Sequence, residues 1–272
     1  MHKINLQNIK GVVFDLGFTL VEYRNPNWPE INLKAKKAAY NRLSNINVQL
    51  PPFEQFDSSF EFIKEEYRRS AFEAMKGWKI TDVLEDLFNE YESNNPEELA
   101  QIFIKSFYAP GRDVMYVNKG SIDTLKLLRD CGYKMGIISN TNFPGYLIED
   151  DMERFGLKSF FDFTIFSSEF GRRKPHRKIF EEGIRLMRFS PFEIMYVGDR
   201  YNMDALGSRA VGMQPILKYC GKRDYPDPMP DDIPMIYNIE EIISLLPEKA
   251  NRNTTLKSTS AWQPGKYKAN IK

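Results

Sequence analysis

The chain has 272 residues, 42% hydrophobic and 28% charged, enough for a sizeable core in one large or two smaller domains. Its formal charge of +1 is uneven: residues 249–272 carry six Lys or Arg and no acid, so 38 basic groups less those six leaves 32 against 37 acids in the body. A mildly acidic body argues against a nucleic-acid surface, no apolar run is long enough for a transmembrane helix, and two cysteines, Cys131 and Cys220, build no disulfide framework.

Residues 9–14 open the pattern as a short apolar, β-branched run, the signature of a strand buried on both faces. Residues 25–32, with Pro26 and Pro29, read as turn-rich. Helical periodicity follows in Phe56, Phe60, Ile63, Tyr67 and Ala71, then in Val83, Leu84, Leu87, Phe88 and Tyr91, then in Leu99, Ile102, Phe103 and Phe107. No comparable strand interrupts them, so residues 21–112 are expected to form a mostly helical insertion after the first strand.

Strand and helix then alternate. Ile122, Leu125 and Leu128 mark a helix, residues 133–138 a strand ending at Ser139, and residues 146–155 a helix. Residues 163–166 and 194–197 read as strands, with a helix at 178–187 between them. A helix at 204–211, a short strand at 214–217, a Pro- and Asp-rich loop at 224–234 and a last helix at 239–246 complete the body. The expectation is an α/β fold: a Rossmann-like parallel sheet with helices on both faces, plus the helical insertion. The core is then discontinuous, residues 1–20 and 113–248, with 21–112 inserted and 249–272 a solvated basic tail.

Ligands of such sheets bind beyond the carboxyl ends of the strands. Asp15, Ser139 and Asp199 each follow an apolar strand, so three residues far apart in sequence are expected in one crevice. A carboxylate there can be a nucleophile or a metal ligand, and Asp204 lies five residues beyond Asp199. Several carboxylates together suit a hard cation such as Mg²⁺; Asp204 equally suits a helix cap or the positioning of a basic residue. Lys174, in RRKP, is a compact charge able to hold phosphate near a helix start, or one member of a surface basic cluster. Ser139 and Asn140, in ISNT, can cradle an oxyanion or cap a turn.

DLGFT at residues 15–19, Ser139 in ISNT, Lys174 in RRKP and GDRYNMD at 198–204, in that order, resemble the four motifs of the haloacid dehalogenase-like hydrolase superfamily. The helical insertion resembles that family's first type of cap domain. The resemblance implies Asp15 as nucleophile, Thr19 helping to position it, and Ser139 and Lys174 holding the phosphoryl oxygens. It implies Mg²⁺ on Asp15, Asp199 and the carbonyl of Gly17, with Asp204 supporting the metal waters or orienting Lys174. Tyr23 and Arg24, with Glu22 and Trp28, lie just beyond the nucleophile loop and are candidates to face the substrate, alongside Ser139, Asn140 and Lys174.

Gly17 departs from the pattern, because most phosphatases of the superfamily carry there a second Asp that is acid to the leaving oxygen and base to water. Glycine does neither, although its carbonyl remains available to a metal. The resemblance therefore implies a Mg²⁺-dependent phosphatase of a small phosphorylated metabolite, working through an aspartyl-phosphate intermediate without the usual second Asp. The alternatives are a 2-haloacid dehalogenase, or a family member acting as a binding or regulatory protein. The expected setting is a cytoplasmic monomer or homodimer with no membrane or nucleic-acid partner.

Overall fold

The structure, a computed structural model, describes residues 4–247; the basic segment 249–272 lies outside them. Strands β1 (Gly11–Phe14), β4 (Lys134–Ser139), β5 (Phe163–Phe166), β6 (Ile194–Gly198), β7 (Gln214–Lys218) and β8 (Met235–Ile236) form one sheet in the order β5-β4-β1-β6-β7-β8. Every pairing in it is parallel. β1 is central and its four residues are all buried, as an apolar run without alternation requires. One face carries Val13, Ile138 and Tyr196, which pack with Ile179 and Phe180 of the helix α8 (Arg177–Met187). The other carries Val12, Phe14, Ile137 and Val197 and continues into the packing of the inserted helices.

Those helices are α1 (Trp28–Ser44), α2 (Phe53–Glu73), α3 (Ile80–Glu90) and α4 (Pro96–Asp113). Their common core is aromatic: Phe56, Phe60, Phe88 and Phe103 are fully buried and lie 5.7–6.4 Å apart, centroid to centroid, in the ring contacts among them. The region read as turn-rich at residues 25–32 is largely helix. Pro29 sits in the first turn of α1, where its missing N–H would be unpaired in any case, and Asn27 caps it.

Two further strands bracket these helices. β2 (Val21–Tyr23) pairs antiparallel with β3 (Met115–Val117), so the chain leaves and re-enters the α/β body along a two-stranded ribbon. Each has three residues, too short for alternation to register in the sequence.

The rest of the α/β body follows the expected alternation in α5 (Ser121–Asp130), α6 (Gly145–Arg154), α9 (Leu206–Arg209) and α10 (Ile242–Leu245), while the short α7 (Ser167–Phe170) comes in addition to it. The helix expected from residue 204 starts earlier, as a π-helical turn over Tyr201–Ala205 that runs into α9. Among the described residues, no helix is long and apolar enough to cross a membrane. The sheet order changes direction at β1 and β6, which opens the crevice where ligands of such folds are held.

Candidate active site

Asp15 follows β1 directly, and Asp199 follows β6. Because Phe14 and Val197 are register partners, the two carboxylates emerge side by side. Asp204 joins them from the π-helical turn, and one oxygen from each of the three lies within 4.8 Å of the others. All three side chains are buried.

Lys174 neutralises part of this charge. Its ammonium donates to Asp15 Oδ1 at 2.7 Å, Asp204 Oδ1 at 2.6 Å and the Tyr196 hydroxyl at 2.9 Å, so its three donors are matched. Burial presses the Lys174 pKa down, but Asp15 and Asp204 outweigh it and hold it above the ordinary lysine value. Burial pushes Asp15 up to about 7, with Lys174 opposing and the neighbouring Asp204 and Asp199 adding to the rise. Asp199 is raised too, by burial and then by Asp204, against the pull of Arg223.

The backbone of Lys174 is fixed by Asn140. Asn140 Oδ1 accepts from the Lys174 N–H at 2.8 Å, and its Nδ2 donates to the Lys174 carbonyl at 3.0 Å. These bonds occupy the Asn140 side chain, so any hold on an oxyanion at Asn140 falls to its backbone N–H. Lys174 lies three residues before α8, which begins at Arg177 and is capped by His176, and its ammonium is buried among carboxylates, which corrects the alternative of a surface basic cluster.

Asp204 is fully occupied by contacts within the chain. Its Oδ1 receives Lys174, and its Oδ2 accepts from the Arg200 N–H at 2.9 Å, so both oxygens are engaged. By contrast, Asp15 Oδ2 and Asp199 Oδ1 take no hydrogen bond among the described residues. The Gly17 carbonyl likewise accepts none from the backbone. An all-oxygen, partly unsatisfied donor set of this kind fits a hard divalent cation. Asp199 Oδ2 meanwhile accepts from Arg223 Nε at 2.5 Å.

The nucleophile loop turns tightly after Asp15. Leu20 and Val21 N–H groups both return to the Leu16 carbonyl, and Phe18 takes a left-handed φ of 60°. Gly17 is not left-handed, and a Cβ built on it meets nothing closer than the Tyr23 hydroxyl at 4.0 Å. Thr19 is fully buried, and among the described residues its hydroxyl has no hydrogen-bond partner.

A cavity of about 400 Å³ stands over Asp15, between the strand ends and helices α1 and α4. Ser139, Asn140, Lys174, Asp199 and Asp204 line it, as expected, together with Tyr23 and Trp28. Tyr23 is held between Phe18 and Trp28, both at 5.1 Å. Burial, and then the charges of Asp15 and Asp151, push its hydroxyl up to about 12. Arg24 does not line the cavity: successive strand residues alternate in direction, so it turns outward and lies over the Tyr116 ring at 5.5 Å. Glu22 pairs with Lys218 instead.

Four contributors escaped the sequence reading. Tyr196 is fully buried in β6 and completes the Lys174 cage; a lone hydroxyl in an otherwise apolar strand, IMYVG, was its signal. Arg223 comes from a loop with no periodicity. Asp151 sits in α6, where it is buried and accepts from the Tyr108 hydroxyl at 2.6 Å. Arg173 lines the cavity mouth with Arg200; burial, then the like charges of Arg200 and Arg68, lower its pKa.

The family model for haloacid dehalogenase-like hydrolases matches residues 52–218, and the chain belongs to that family of hydrolases. Haloacid dehalogenase-like hydrolase domain-containing protein 3 of Bos taurus is 30% identical over 169 residues, 61% of this chain and 65% of that protein, just under two thirds of its length. Glyceraldehyde 3-phosphate phosphatase of Methanocaldococcus jannaschii is 28% identical over 240 residues, 88% of this chain and 96% of that one. Among solved structures, 2-haloacid dehalogenase from Pseudomonas syringae pv. Tomato DC3000 superposes with a TM-score of 0.65 at 22% identity, covering 87% of this chain and 97% of that one, a likeness of fold.

Proposed function

We propose that the chain is a Mg²⁺-dependent phosphatase of a small phosphorylated metabolite, with Asp15 as the nucleophile. The observation that carries this reading is the Asp15–Lys174–Asp204 chain of contacts at the floor of the cavity, beside the unengaged oxygen of Asp199. A carboxylate attacks a phosphate dianion only where nearby positive charge offsets their repulsion. Lys174 supplies part of it at 2.7 Å from Asp15. Arg173 and Arg200 give the mouth a positive sign that draws an anion inward.

Asp15, Asp199 and the Gly17 carbonyl would hold Mg²⁺, whose chemistry when bound is to neutralise charge on the phosphoryl oxygens. Asp15 attacks phosphorus to form the aspartyl phosphate, Ser139 holds the phosphoryl oxygens together with the Lys174 proton that Asp15 gives up as its carboxylate bonds to phosphorus, and water releases phosphate. Asp204 and Tyr196 keep the Lys174 ammonium charged and aimed, and Asn140 keeps its backbone in register. Residues 21–112 act as a cap over the core formed by 1–20 and 113–248, excluding water and selecting the substrate. The similarity to an archaeal glyceraldehyde 3-phosphate phosphatase along most of both chains supports the substrate class.

The test is phosphate release from a broad panel of phosphate monoesters with Mg²⁺. Wild-type turnover is expected on at least one small ester, with a loss of about 10³-fold or more in Asp15→Asn. Release that is equal in wild type and Asp15→Asn rejects the reading.

A further inference from the structure

The proposed reaction lacks a group to protonate the leaving oxygen, because Gly17 stands where the usual acid would be. The geometry points to Tyr23: we propose that its hydroxyl replaces the missing carboxyl as proton donor to the leaving group, an inference that rests on the phosphatase reading.

Three observations carry it. A side chain at position 17 would start toward the Tyr23 hydroxyl, the one group within 4 Å of a Cβ built there. That hydroxyl donates to no protein acceptor among the described residues, although it lines the cavity with Asp15 and Gly17. A donor held in a cavity without a partner suits a ligand's acceptor. Finally, the ring is fixed. β2 anchors its backbone through the pairing of Tyr23 with Met115, and Phe18 and Trp28 pack against the ring. Hydroxyl and nucleophile are therefore presented from two ends of one short loop, residues 15–23.

Other candidates for the role are committed elsewhere. The Tyr108 hydroxyl donates to Asp151, the Lys174 ammonium has all three protons matched, and Arg223 is paired with Asp199.

The step balances. In the first half an Asp15 oxygen bonds to phosphorus and the bond from phosphorus to the leaving oxygen breaks. Its electron pair stays on that oxygen, which takes the Tyr23 proton. In the second half a water oxygen bonds to phosphorus, the bond to Asp15 breaks with its electron pair returning to the carboxylate, and the water's proton goes to the Tyr23 phenolate. The enzyme is restored with alcohol and phosphate released. The Arg223 guanidinium, within reach of the same aromatic wall at 4.3 Å from the Phe18 centroid, offers the phenolate a counter-charge.

A donor to the leaving group matters most when that group is a poor one. The experiment therefore compares 4-nitrophenyl phosphate, whose leaving group departs without a proton, with the fastest alkyl phosphate of the panel, both with Mg²⁺ and the full chain. Tyr23→Phe keeps the ring between Phe18 and Trp28. It is expected to lower kcat on the alkyl ester by about 100-fold or more, the usual scale of general acid catalysis, and on the aryl ester by no more than about fivefold, a loss small beside it. Adding Gly17→Asp to Tyr23→Phe is expected to recover alkyl turnover at least tenfold, roughly. Equal losses on the two esters, or an undiminished alkyl kcat, overturn the role of Tyr23 while leaving the phosphatase reading intact. Absence of any Asp15-dependent release in wild type sinks the phosphatase reading and this inference with it.

Discussion

Asn140 holds Lys174 by two bonds to one peptide unit on each side of its Cα, and nothing else in the site fixes that backbone as directly. Removing the amide leaves a donor and an acceptor of a buried residue without their partner, which costs about 1–3 kcal/mol. More important, the ammonium would lose its register against Asp15. Asn140→Ala is therefore expected to stay folded, with a melting point lowered by a few degrees, yet to lose about 10²-fold in kcat, the scale of a small misplacement of a reacting group. Circular dichroism melts and steady-state kinetics together check it; wild-type kcat in a folded Asn140→Ala would show that the clip does not matter. At this scale the sequence was uneven in what it disclosed. Asp15, Ser139 and Asp199 were legible because each ends or follows an apolar strand at the sheet's carboxyl edge, and Lys174 and Asp204 through the motifs RRKP and GDRYNMD. Arg24 was misjudged because adjacency in sequence says nothing about which way a side chain turns. Arg223 and Asp151 were invisible, since a loop residue and a helical acid acquire meaning only from what the fold brings to them.

Between elements, the inserted helices meet the α/β body through close backbone contact as well as side chains. The link from α2 to α3 passes so near the start of α7 that a Cβ built on Gly77 falls 1.6 Å from the Ser167 carbonyl oxygen. Backbone cannot yield as a side-chain tip does, so Gly77→Ala must push the two units apart. The expected cost is about 2–3 kcal/mol, with activity lost as the cavity opens. Gly111, inside α4, meets nothing within 4 Å, so Gly111→Ala should instead gain about 0.5–1 kcal/mol from reduced backbone freedom in the unfolded chain. Urea unfolding of both variants tests the pair, and a tolerated Gly77→Ala would mean the crossing is looser than described. Long periodic elements were readable because each shows its buried stripe over three or more turns, as α2, α3 and α4 do. The elements that escaped were β2, β3, β8 and α7, of two to four residues, and α1, whose entry is masked by two prolines and whose buried stripe is only Ala35, Ala39 and Leu43.

Across the whole molecule, the central sheet ends in a concentration of like charge that folding has to tolerate. Asp15, Asp199 and Asp204 converge to within 4.8 Å, and the two cations bonded to them, Lys174 and Arg223, leave one of three negative charges unbalanced. Carboxylates this close repel in the buried interior, which is why burial and mutual charge raise Asp15 and Asp199. A divalent cation would bind the folded chain at these oxygens and find no comparable site in the unfolded one, where the three residues lie up to 189 positions apart in the sequence, from residue 15 to residue 204. Linkage then requires that it stabilise the fold, by about 2.7 kcal/mol at a concentration one hundred times its dissociation constant. Mg²⁺ added to protein stripped with a chelator is expected to raise the melting temperature until the site saturates. The rise should vanish in Asp199→Asn, which removes a ligand oxygen's charge, and persist in Tyr23→Phe, which touches none of the three acids. Because the readout is stability and not turnover, it isolates the cation from the chemistry. A melting curve indifferent to Mg²⁺ in the wild-type chain would leave the three carboxylates as a purely electrostatic partner for Lys174 and Arg223, and would remove the metal from the proposed reaction.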